Sequence, residues 1–271
     1  MQKVILVTGS TDGIGFETAK MLLSQGHHVL LHGRNPAKLK DVENQLGKLQ
    51  GNGKVESYVA DLSKMSDAYK LAAEVSAQHA KLDVLINNAG VWNSPESKTG
   101  DGFDVRFAVN TFAPYLLTKA LLPQLGSTGR VINLSSAAQS SVNLDALVGN
   151  TPLSDGDAYA QSKLAITMWS RNMGLAMKES GPMIASVNPK SLLGSKMVKS
   201  AFGIAGSDLS VGADILVRGA LSDEFTNAHG LYFDNDIGQF GQPHPDALND
   251  KKVQAVMTAM DSALATFQPS F

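Results

Sequence analysis

The segment that most constrains the fold is an apolar run, a glycine-rich turn and a helical pattern at the start of the chain. Residues 4–7 are consecutive apolar residues, which is typical of a buried strand. Residues 8–15 (Thr-Gly-Ser-Thr-Asp-Gly-Ile-Gly) form the turn, and the spacing of Ile14, Thr18, Met21 and Leu22 predicts a helix after it. The sequence therefore begins with a strand, a tight turn and a helix.

Further short apolar runs predict strands at residues 28–31, 55–59, 84–86, 130–134 and 183–187, with helix-length segments between several of them. This alternation predicts an α/β fold with a mostly parallel sheet of about seven strands and helices on both faces. No repeat or linker divides the chain, so residues 1–271 are expected to form a single domain. Residues 140–157 and 234–249 are predicted to be loops, within a C-terminal extension that begins near residue 234.

Composition excludes several classes of function. The absence of cysteine removes disulfides, cysteine-ligated zinc and thiol nucleophiles. The 23 basic residues are interspersed with 25 acidic ones, which argues against nucleic acid as a partner. No apolar stretch approaches the ~20 residues of a membrane span, so we expect no membrane partner and a cytoplasmic location. The six histidines show no metal-binding spacing, so no metal site is expected.

The glycine-rich turn is a candidate seat for a phosphate group. Glycines let the backbone approach a pyrophosphate closely, and the unpaired N–H groups at a helix N-terminus attract an anion. Three glycines alone also suit an ordinary turn, but the strand before them and the helix after them favour a dinucleotide. The candidate cofactor-binding residues of this turn are Gly9, Ser10, Thr11, Asp12, Gly13, Ile14 and Gly15.

The end of the second predicted strand indicates which dinucleotide is bound. Sites that prefer NAD place a carboxylate against the ribose 2′-hydroxyl at this point. Here the strand is followed by Arg34 and Asn35, and the fixed charge of an arginine suits a 2′-phosphate. We therefore expect NADP(H) to be preferred over NAD(H). The alternative is that Arg34 is a solvated loop cation.

Tyr159 and Lys163 form a candidate catalytic pair. They are four residues apart in a helical segment, which places them on one helix face. A nearby ammonium, together with an oxidised nicotinamide, stabilises a phenolate and lowers the pKa of a tyrosine toward neutral pH. A tyrosine and a lysine four residues apart also occur by chance, so this pair indicates a catalytic site only in combination with other motifs.

Taken together, these motifs resemble the short-chain dehydrogenase/reductase family. The resemblance covers residue 3 to about residue 190 and includes the glycine-rich turn, Asn87-Asn88-Ala89-Gly90, Asn110, Ser135-Ser136 and the Tyr159 and Lys163 pair, in the family's order and spacing. It implies a Rossmann fold and a nicotinamide-dependent oxidoreductase acting on a carbonyl or alcohol of small to medium size. Residues 32–35 and 159–165 are most similar to the retinol-dehydrogenase-like and protochlorophyllide-reductase-like branch.

The resemblance also implies roles for individual residues. Tyr159 would act as the acid/base, Lys163 would hold the cofactor ribose, and Ser136 would bind the substrate oxygen. Asn110 would hold a water molecule that links Lys163 to solvent. The further cofactor contacts that it implies are Asp61, Leu62, Asn88, Ala89, Gly90 and Pro189. For the asparagines and serines the alternative is a structural role as a cap or as a satisfied strand-end group.

One position departs from the family pattern. Lys190 follows Pro189 where the family has glycine, within a predicted substrate loop at residues 190–206. If this position needs a positive φ, the lysine strains the turn by ~1 kcal/mol or more. Lys190 is then either an adaptation to an acidic substrate or an exposed loop lysine. Ser195 is the candidate for the family's cofactor-contacting threonine.

Two other functions are alternatives to this interpretation. The first is a non-catalytic NADP(H)-binding sensor or interaction module, which would not need the full set of Tyr159, Lys163, Ser136 and Asn110. The second, a nucleotide-sugar epimerase or dehydratase, predicts a different glycine spacing and a larger C-terminal domain, and the sequence shows neither. The resemblance also implies a possible homodimer or homotetramer.

Overall fold

The computed structural model describes residues 1–49, 51, 53–196, 198–199 and 203–267. Eight strands form one sheet in the order β3-β2-β1-β4-β5-β6-β7-β8. All neighbouring strands from β3 through β7 in this order are parallel. Their bounds are β1 Val4–Val7, β2 His28–Gly33, β3 Lys54–Val59, β4 Val84–Asn87, β5 Arg130–Leu134, β6 Met183–Asn188, β7 Tyr232–Asp234 and β8 Gln239–Gly241. The predicted doubly wound, mostly parallel sheet is confirmed.

Helices connect the strands and cover both faces of the sheet. Their bounds are α1 Gly13–Ser24, α2 Pro36–Leu46, α3 Met65–Gln78, α4 Val105–Phe107, α5 Ala113–Leu125, α6 Leu144–Leu147, α7 Asp155–Ala176, α8 Leu209–Leu221 and α9 Asp250–Leu264, with a π-helix at Ala108–Phe112 between α4 and α5. Within the described ranges, no helix combines the length and the apolar composition needed to cross a bilayer.

Alternating side chains of each strand enter two separate cores, as the two-residue period of a strand requires. Ile5 and Val7 pack with α1, α2 and α8 on one face of the sheet. Leu6 packs with α3, α5 and α7 on the other face, where Trp169 is fully buried. Burial on both faces explains why these strands are continuously apolar rather than alternating.

The C-terminal segment differs from the sequence prediction. The expected sheet of about seven strands has an eighth, because β8 pairs antiparallel with β7 and places Phe240 opposite Phe233. The predicted loop at residues 234–249 therefore contains a strand, and also a 3-10 turn at Pro245–Leu248. The predicted loop at residues 140–157 likewise contains α6 and the first turn of α7. Elements of three or four residues are too short to show a hydrophobic period.

The carboxyl ends of the parallel strands lie at one edge of the sheet. The order of the strands reverses between β1 and β4, where the chain leaves the sheet toward opposite sides. Open α/β sheets form a crevice at such a point, outside the carboxyl ends of the strands. The segments that follow β1, β2, β4, β5 and β6 carry most of the predicted site residues.

Candidate active site

A cleft of about 580 Å³ lies at this edge of the sheet. Its volume is within the range of small-molecule and cofactor sites. The predicted site residues that line it are Gly9, Thr11, Asp12, Gly13, Ile14, Gly15, Arg34, Asp61, Leu62, Asn88, Ala89, Gly90, Ser136, Tyr159, Lys163 and Pro189. The predicted residues Ser10, Asn35 and Asn110 are not part of its lining.

The glycine-rich turn packs so closely that larger residues cannot replace Gly9 or Gly15. Gly9 has a φ of +66°, and a Cβ added there would lie 2.8 Å from the Cα of Ala89. A Cβ on Gly15 would lie 2.4 Å from the backbone oxygen of Gly9. Helix α1 begins at Gly13, and its first turn borders the cleft. The backbone can therefore approach a bound pyrophosphate at a helix N-terminus, so this part of the site fits a dinucleotide.

The side chains of Ser10 and Thr8 support the glycine-rich turn through hydrogen bonds with neighbouring segments. The buried hydroxyl of Ser10 accepts a hydrogen bond from the backbone N–H of His32 at 2.8 Å. Thr8 Oγ1 accepts hydrogen bonds from the backbone N–H groups of Asn88 and Ala89, each at 3.0 Å. The side chain of Ser10 is thus a support of the turn rather than part of the cleft surface. Thr8, which sequence reasoning did not select, joins the segments after β1 and β4.

His32 is a second support that the sequence analysis missed. Its Nδ1 accepts a hydrogen bond from the N–H of Gly9 at 3.0 Å, and its Nε2 donates to the backbone oxygen of Ala60 at 3.1 Å. Burial lowers the pKa of His32 to about 4, so the ring is neutral at physiological pH. Only its place at the end of β2, beside the glycine-rich turn, could have suggested this role.

The polar residues that follow β2 differ in what they contact. Arg34 lines the cleft. Asn35 caps α2, since its side chain accepts a hydrogen bond from the N–H of Lys38 at 3.0 Å. The ammonium groups of Lys38 and Lys196 lie 2.9 Å and 2.5 Å from Asp12 Oδ2. Burial raises the pKa of Asp12, but these lysine contacts outweigh it and lower the pKa to about 2.

Tyr159 and Lys163 lie on α7, which is capped by Ser154, and both are more than nine-tenths buried. Lys163 Nζ donates to the backbone oxygen of Leu134 at 2.7 Å and lies 5.6 Å from the ring centre of Tyr159. Burial lowers the pKa of Lys163 to about 7. The pKa of Tyr159 is raised above its usual range, because burial outweighs the opposite effect of the Ser136 side chain. The structure thus brings the predicted tyrosine, lysine and serine together.

Asn110 lies in the π-helix and binds the segment after β4. Its Oδ1 accepts from the N–H of Val91 at 2.8 Å, and its Nδ2 donates to the backbone oxygen of Val91 at 3.0 Å and to Ser162 Oγ at 3.0 Å. The amide therefore fixes the backbone that follows Gly90 against the helix that carries Tyr159. A role of Asn110 in proton transfer stays a prediction.

The segment after β6 contains the departure seen in the sequence. Lys190 has a φ of +116° and Leu192 has a φ of +55°, both in the region that favours glycine. Asp236 accepts hydrogen bonds from the N–H of Ser191 at 2.9 Å and from its hydroxyl at 2.6 Å. Asn235 donates to the backbone oxygen of Pro189 at 3.0 Å. Side chains from beyond β7 thus hold a strained turn at the edge of the cleft.

Trp92 is the largest cleft residue that the sequence analysis did not select. Its ring centre lies 4.4 Å from that of Tyr159, at an interplanar angle of 47°. Its place directly after the Asn-Asn-Ala-Gly motif and Val91 is the only sequence signal for this contact. Across the described part of the chain, no group of three or more side chains is arranged to bind a metal ion.

Comparisons with known proteins agree with this geometry. A family model described as short chain dehydrogenase matches residues 3–202. Human polyprenol dehydrogenase is 36% identical over 209 residues, which cover 74% of this chain and 63% of that protein. Retinol dehydrogenase 12 from Bos taurus is 35% identical over 204 residues, which cover 74% of this chain and 64% of that protein. The matched segments therefore span less than two thirds of these two relatives.

Solved structures share the fold over most of its length. An uncharacterized protein from Mycobacterium paratuberculosis superposes with a TM-score of 0.78 at 26% identity, covering 97% of this chain and 93% of that one. A metagenomic short-chain oxidoreductase in complex with NADP superposes with a TM-score of 0.61 at 30% identity, covering 80% of this chain and 90% of that one.

Proposed function

Because the chain belongs to the short-chain dehydrogenase family, in its retinol-dehydrogenase-like branch, we propose that it is an NADP(H)-dependent oxidoreductase that interconverts a carbonyl compound and its alcohol. One observation carries this proposal. Tyr159, Ser136 and Lys163 line the same cleft as the glycine-rich turn, and Lys163 Nζ lies 5.6 Å from the ring centre of Tyr159. A sensor or interaction module would not require this arrangement.

The residues of the cleft divide into those that bind and those that transfer a proton. We assign the pyrophosphate to the turn at residues 9–15, the adenosine part to Arg34, Asp61 and Leu62, and the nicotinamide half to residues 88–90 and Pro189. When bound, the nicotinamide supplies or accepts the hydride. These roles follow from the position of each residue along the cleft and from the family pattern.

Proton transfer is assigned to Tyr159. Its phenol donates the proton that converts the carbonyl oxygen to a hydroxyl, while Ser136 donates a hydrogen bond to the same oxygen. The pKa of Lys163, lowered by burial to about 7, lets its ammonium exchange a proton near neutral pH. A positive charge so close to Tyr159 stabilises the phenolate that remains after the proton has left.

Preference for NADP(H) rests on the charges at the end of β2. Arg34 borders the cleft, whereas Lys38 and Lys196 are already paired with the carboxylate of Asp12. Arg34 is therefore the cation left to bind a 2′-phosphate. The NADP complex of the metagenomic oxidoreductase supports this choice.

The experiment is a fluorescence titration with NADPH and with NADH. Arg34→Gln is expected to weaken NADPH binding about tenfold or more, because a hydrogen-bonded charge pair contributes roughly 1.5–3 kcal/mol, and to leave NADH binding unchanged. Lys40→Gln is the matched control, since Lys40 is an exposed cation of α2 that pairs with Glu43 and does not line the cleft. Equal effects of both variants, or no binding of either nucleotide, would contradict the proposal.

Tyr159→Phe tests the chemical step. The variant is expected to bind NADPH like the unmodified protein and to lose about 10²-fold or more in kcat with an aldehyde substrate. Unchanged turnover would remove Tyr159 from its proposed role. The single domain over residues 1–271, the cytoplasmic location and the homodimer or homotetramer stay predictions of the sequence.

A further inference from the structure

The backbone oxygen of Ser136 accepts hydrogen bonds from two side chains that lie outside the cleft. Gln139 Nε2 donates to it at 2.8 Å, and the hydroxyl of Tyr232 donates to it at 3.2 Å. Neither Gln139 nor Tyr232 lines the cleft, whereas Ser136 does. The peptide group that follows Ser136 is therefore held by two donors that do not themselves border the cleft.

The two donors come from different parts of the fold. Gln139 lies in the same loop, three residues after Ser136. Tyr232 is the first residue of β7, 96 positions away, and is 5% exposed. Burial and the nearby carboxylates of Asp234 and Asp236 raise the pKa of Tyr232. The phenol therefore stays protonated near neutral pH and remains a hydrogen-bond donor.

The side-chain amide of Gln139 has an orientation that leaves its oxygen without a partner. Its Oε1 is buried and accepts no hydrogen bond from the residues that the structure describes. An unpaired buried acceptor is unfavourable. The reversed orientation would direct Oε1 at the backbone oxygen of Ser136, and two acceptors cannot bond to each other. The hydrogen bond to Ser136 therefore determines the orientation of this amide.

The same contacts leave the proton of the Ser136 hydroxyl available. Its Oγ accepts a hydrogen bond from the N–H of Ala138 at 3.1 Å, which uses a lone pair of the oxygen and not the proton. The preceding residue is bound to α7, because Ser135 Oγ donates to the backbone oxygen of Lys163 at 3.0 Å. Ser136 is thus held to α7 through its neighbour and to the two donors through its own carbonyl group.

We propose that Gln139 and Tyr232 are positioning residues, which hold Ser136 so that its hydroxyl contacts the same substrate oxygen as Tyr159. This inference rests on the proposed function. Residues 135–143 form neither helix nor strand, so the position of Ser136 depends on side-chain contacts of this kind. A donor stabilises developing charge only at about 2.7–3.1 Å from the oxygen, and misplacement by about 1 Å can lower a rate about 10²-fold.

The kinetic test removes one donor at a time. Tyr232→Phe and Gln139→Met nearly keep the size of the side chain. Each is expected to lower kcat for benzaldehyde reduction about threefold to tenfold with an unchanged KM for NADPH, a smaller loss than the about 10²-fold expected for Ser136→Ala. Tyr115→Phe is the matched control, because Tyr115 is also buried but donates to Asp261 of α9, at 2.9 Å. It should lower the thermal midpoint without changing kcat.

A double-mutant cycle separates positioning from a general loss of stability. In a Ser136→Ala background, Tyr232→Phe is expected to cause no further fall in kcat, because the hydroxyl through which it acts is absent. The same factor in both backgrounds would overturn the inference while the oxidoreductase function stands. An unchanged kcat in both Tyr232→Phe and Gln139→Met would overturn it as well.

Hydrogen exchange of the Ala138 amide, followed by NMR, tests these contacts without a substrate. The Ala138 N–H is bonded to Ser136 Oγ, so both donor variants are expected to speed its exchange about threefold or more, and Tyr115→Phe is not. Unchanged exchange in both donor variants would overturn the inference whatever the activity. If the protein neither binds NADPH nor reduces an aldehyde while the exchange responds, the proposed function is in error and the support of Ser136 by the two donors stands.

Discussion

Two turns border the cleft from opposite sides. Both contain residues with positive φ, but the residue types at these positions differ. The β1 turn (residues 8–12) has its positive φ at Gly9, where a glycine adopts it without strain. The β6 turn (residues 189–193) has positive φ at Lys190 and Leu192, where it is unfavourable. The first turn is unstrained because of the residue type it contains, and hydrogen bonds with His32 support it. The second turn is strained and is held by hydrogen bonds with Asn235 and Asp236. A strained turn held by distant partners is easier to loosen than one built on glycine.

Gly9→Ala is expected to have the largest effect. The new methyl group would lie 2.8 Å from the Cα of Ala89, at a φ of +66°. Strain and overpacking together are expected to cost roughly 3 kcal/mol or more of the free energy of unfolding. Denaturant unfolding measures the loss, and NADPH affinity should fall with it. Gly238→Ala is a useful control, because Gly238 also has positive φ, at +71°, but has open space around it. Equal losses in both variants would mean that close packing of the β1 turn is unimportant.

Asp236→Ala should loosen the β6 turn. It removes the acceptor of both Ser191 hydrogen bonds and one partner of the buried Asn188 amide, whose Nδ2 lies 2.8 Å from Asp236 Oδ2. Because Asp236 is exposed, we expect a loss of about 1.5 kcal/mol in the free energy of unfolding and a raised KM for NADPH. Chemical denaturation and steady-state kinetics provide the two readouts. Full stability and an unchanged KM would show that Asp236 does not hold the turn.

Lys190→Gly should stabilise the protein by about 1 kcal/mol. Relief of the strain at φ +116° is worth about 1–3 kcal/mol, and the added freedom of glycine in the unfolded chain offsets up to about 1 kcal/mol of it. Lys190→Ala keeps the Cβ and is expected to give no such gain. Thermal unfolding of both variants separates relief of backbone strain from loss of the lysine charge. A gain in both variants would attribute the effect to the charge.

Asp12→Asn should have the smallest effect, because it breaks the exposed contact that joins the two sides of the cleft. The side chains of Asp12, Lys38 and Lys196 are 46%, 44% and 82% exposed, so both pairings of Asp12 contribute little in water. We expect a loss below about 0.5 kcal/mol that disappears at high salt.

The pH dependence of this contribution has a defined sign. The folded pKa of Asp12, about 2, lies below the unfolded value of 3.8, so the stabilisation is present above pH 4 and is lost as the pH falls through 2. Unfolding measured between these pH values should show a smaller decline in the Asn variant. Identical pH profiles for the two proteins would contradict the assigned pKa shift.

Prediction from sequence succeeded where the signal is local. The β1 turn follows from its glycines, and the shared face of Tyr159 and Lys163 follows from the geometry of a helix. It failed for β8, whose three residues are stabilised by pairing with β7 rather than by a pattern of their own. It also missed Thr8 and His32, because their roles consist of hydrogen bonds to other segments.

The sequence by itself determined the α/β architecture and the residues whose type is dictated by backbone geometry or by helical spacing. Only the tertiary structure decided which side chains lie together around Tyr159 in the cleft. Trp92 meets Tyr159 across 67 positions of the chain, and Asp236 reaches Ser191 across 45, and no local period encodes contacts of such separation. They form because parallel strands bring their carboxyl ends to one edge of the sheet, so that distant segments meet there.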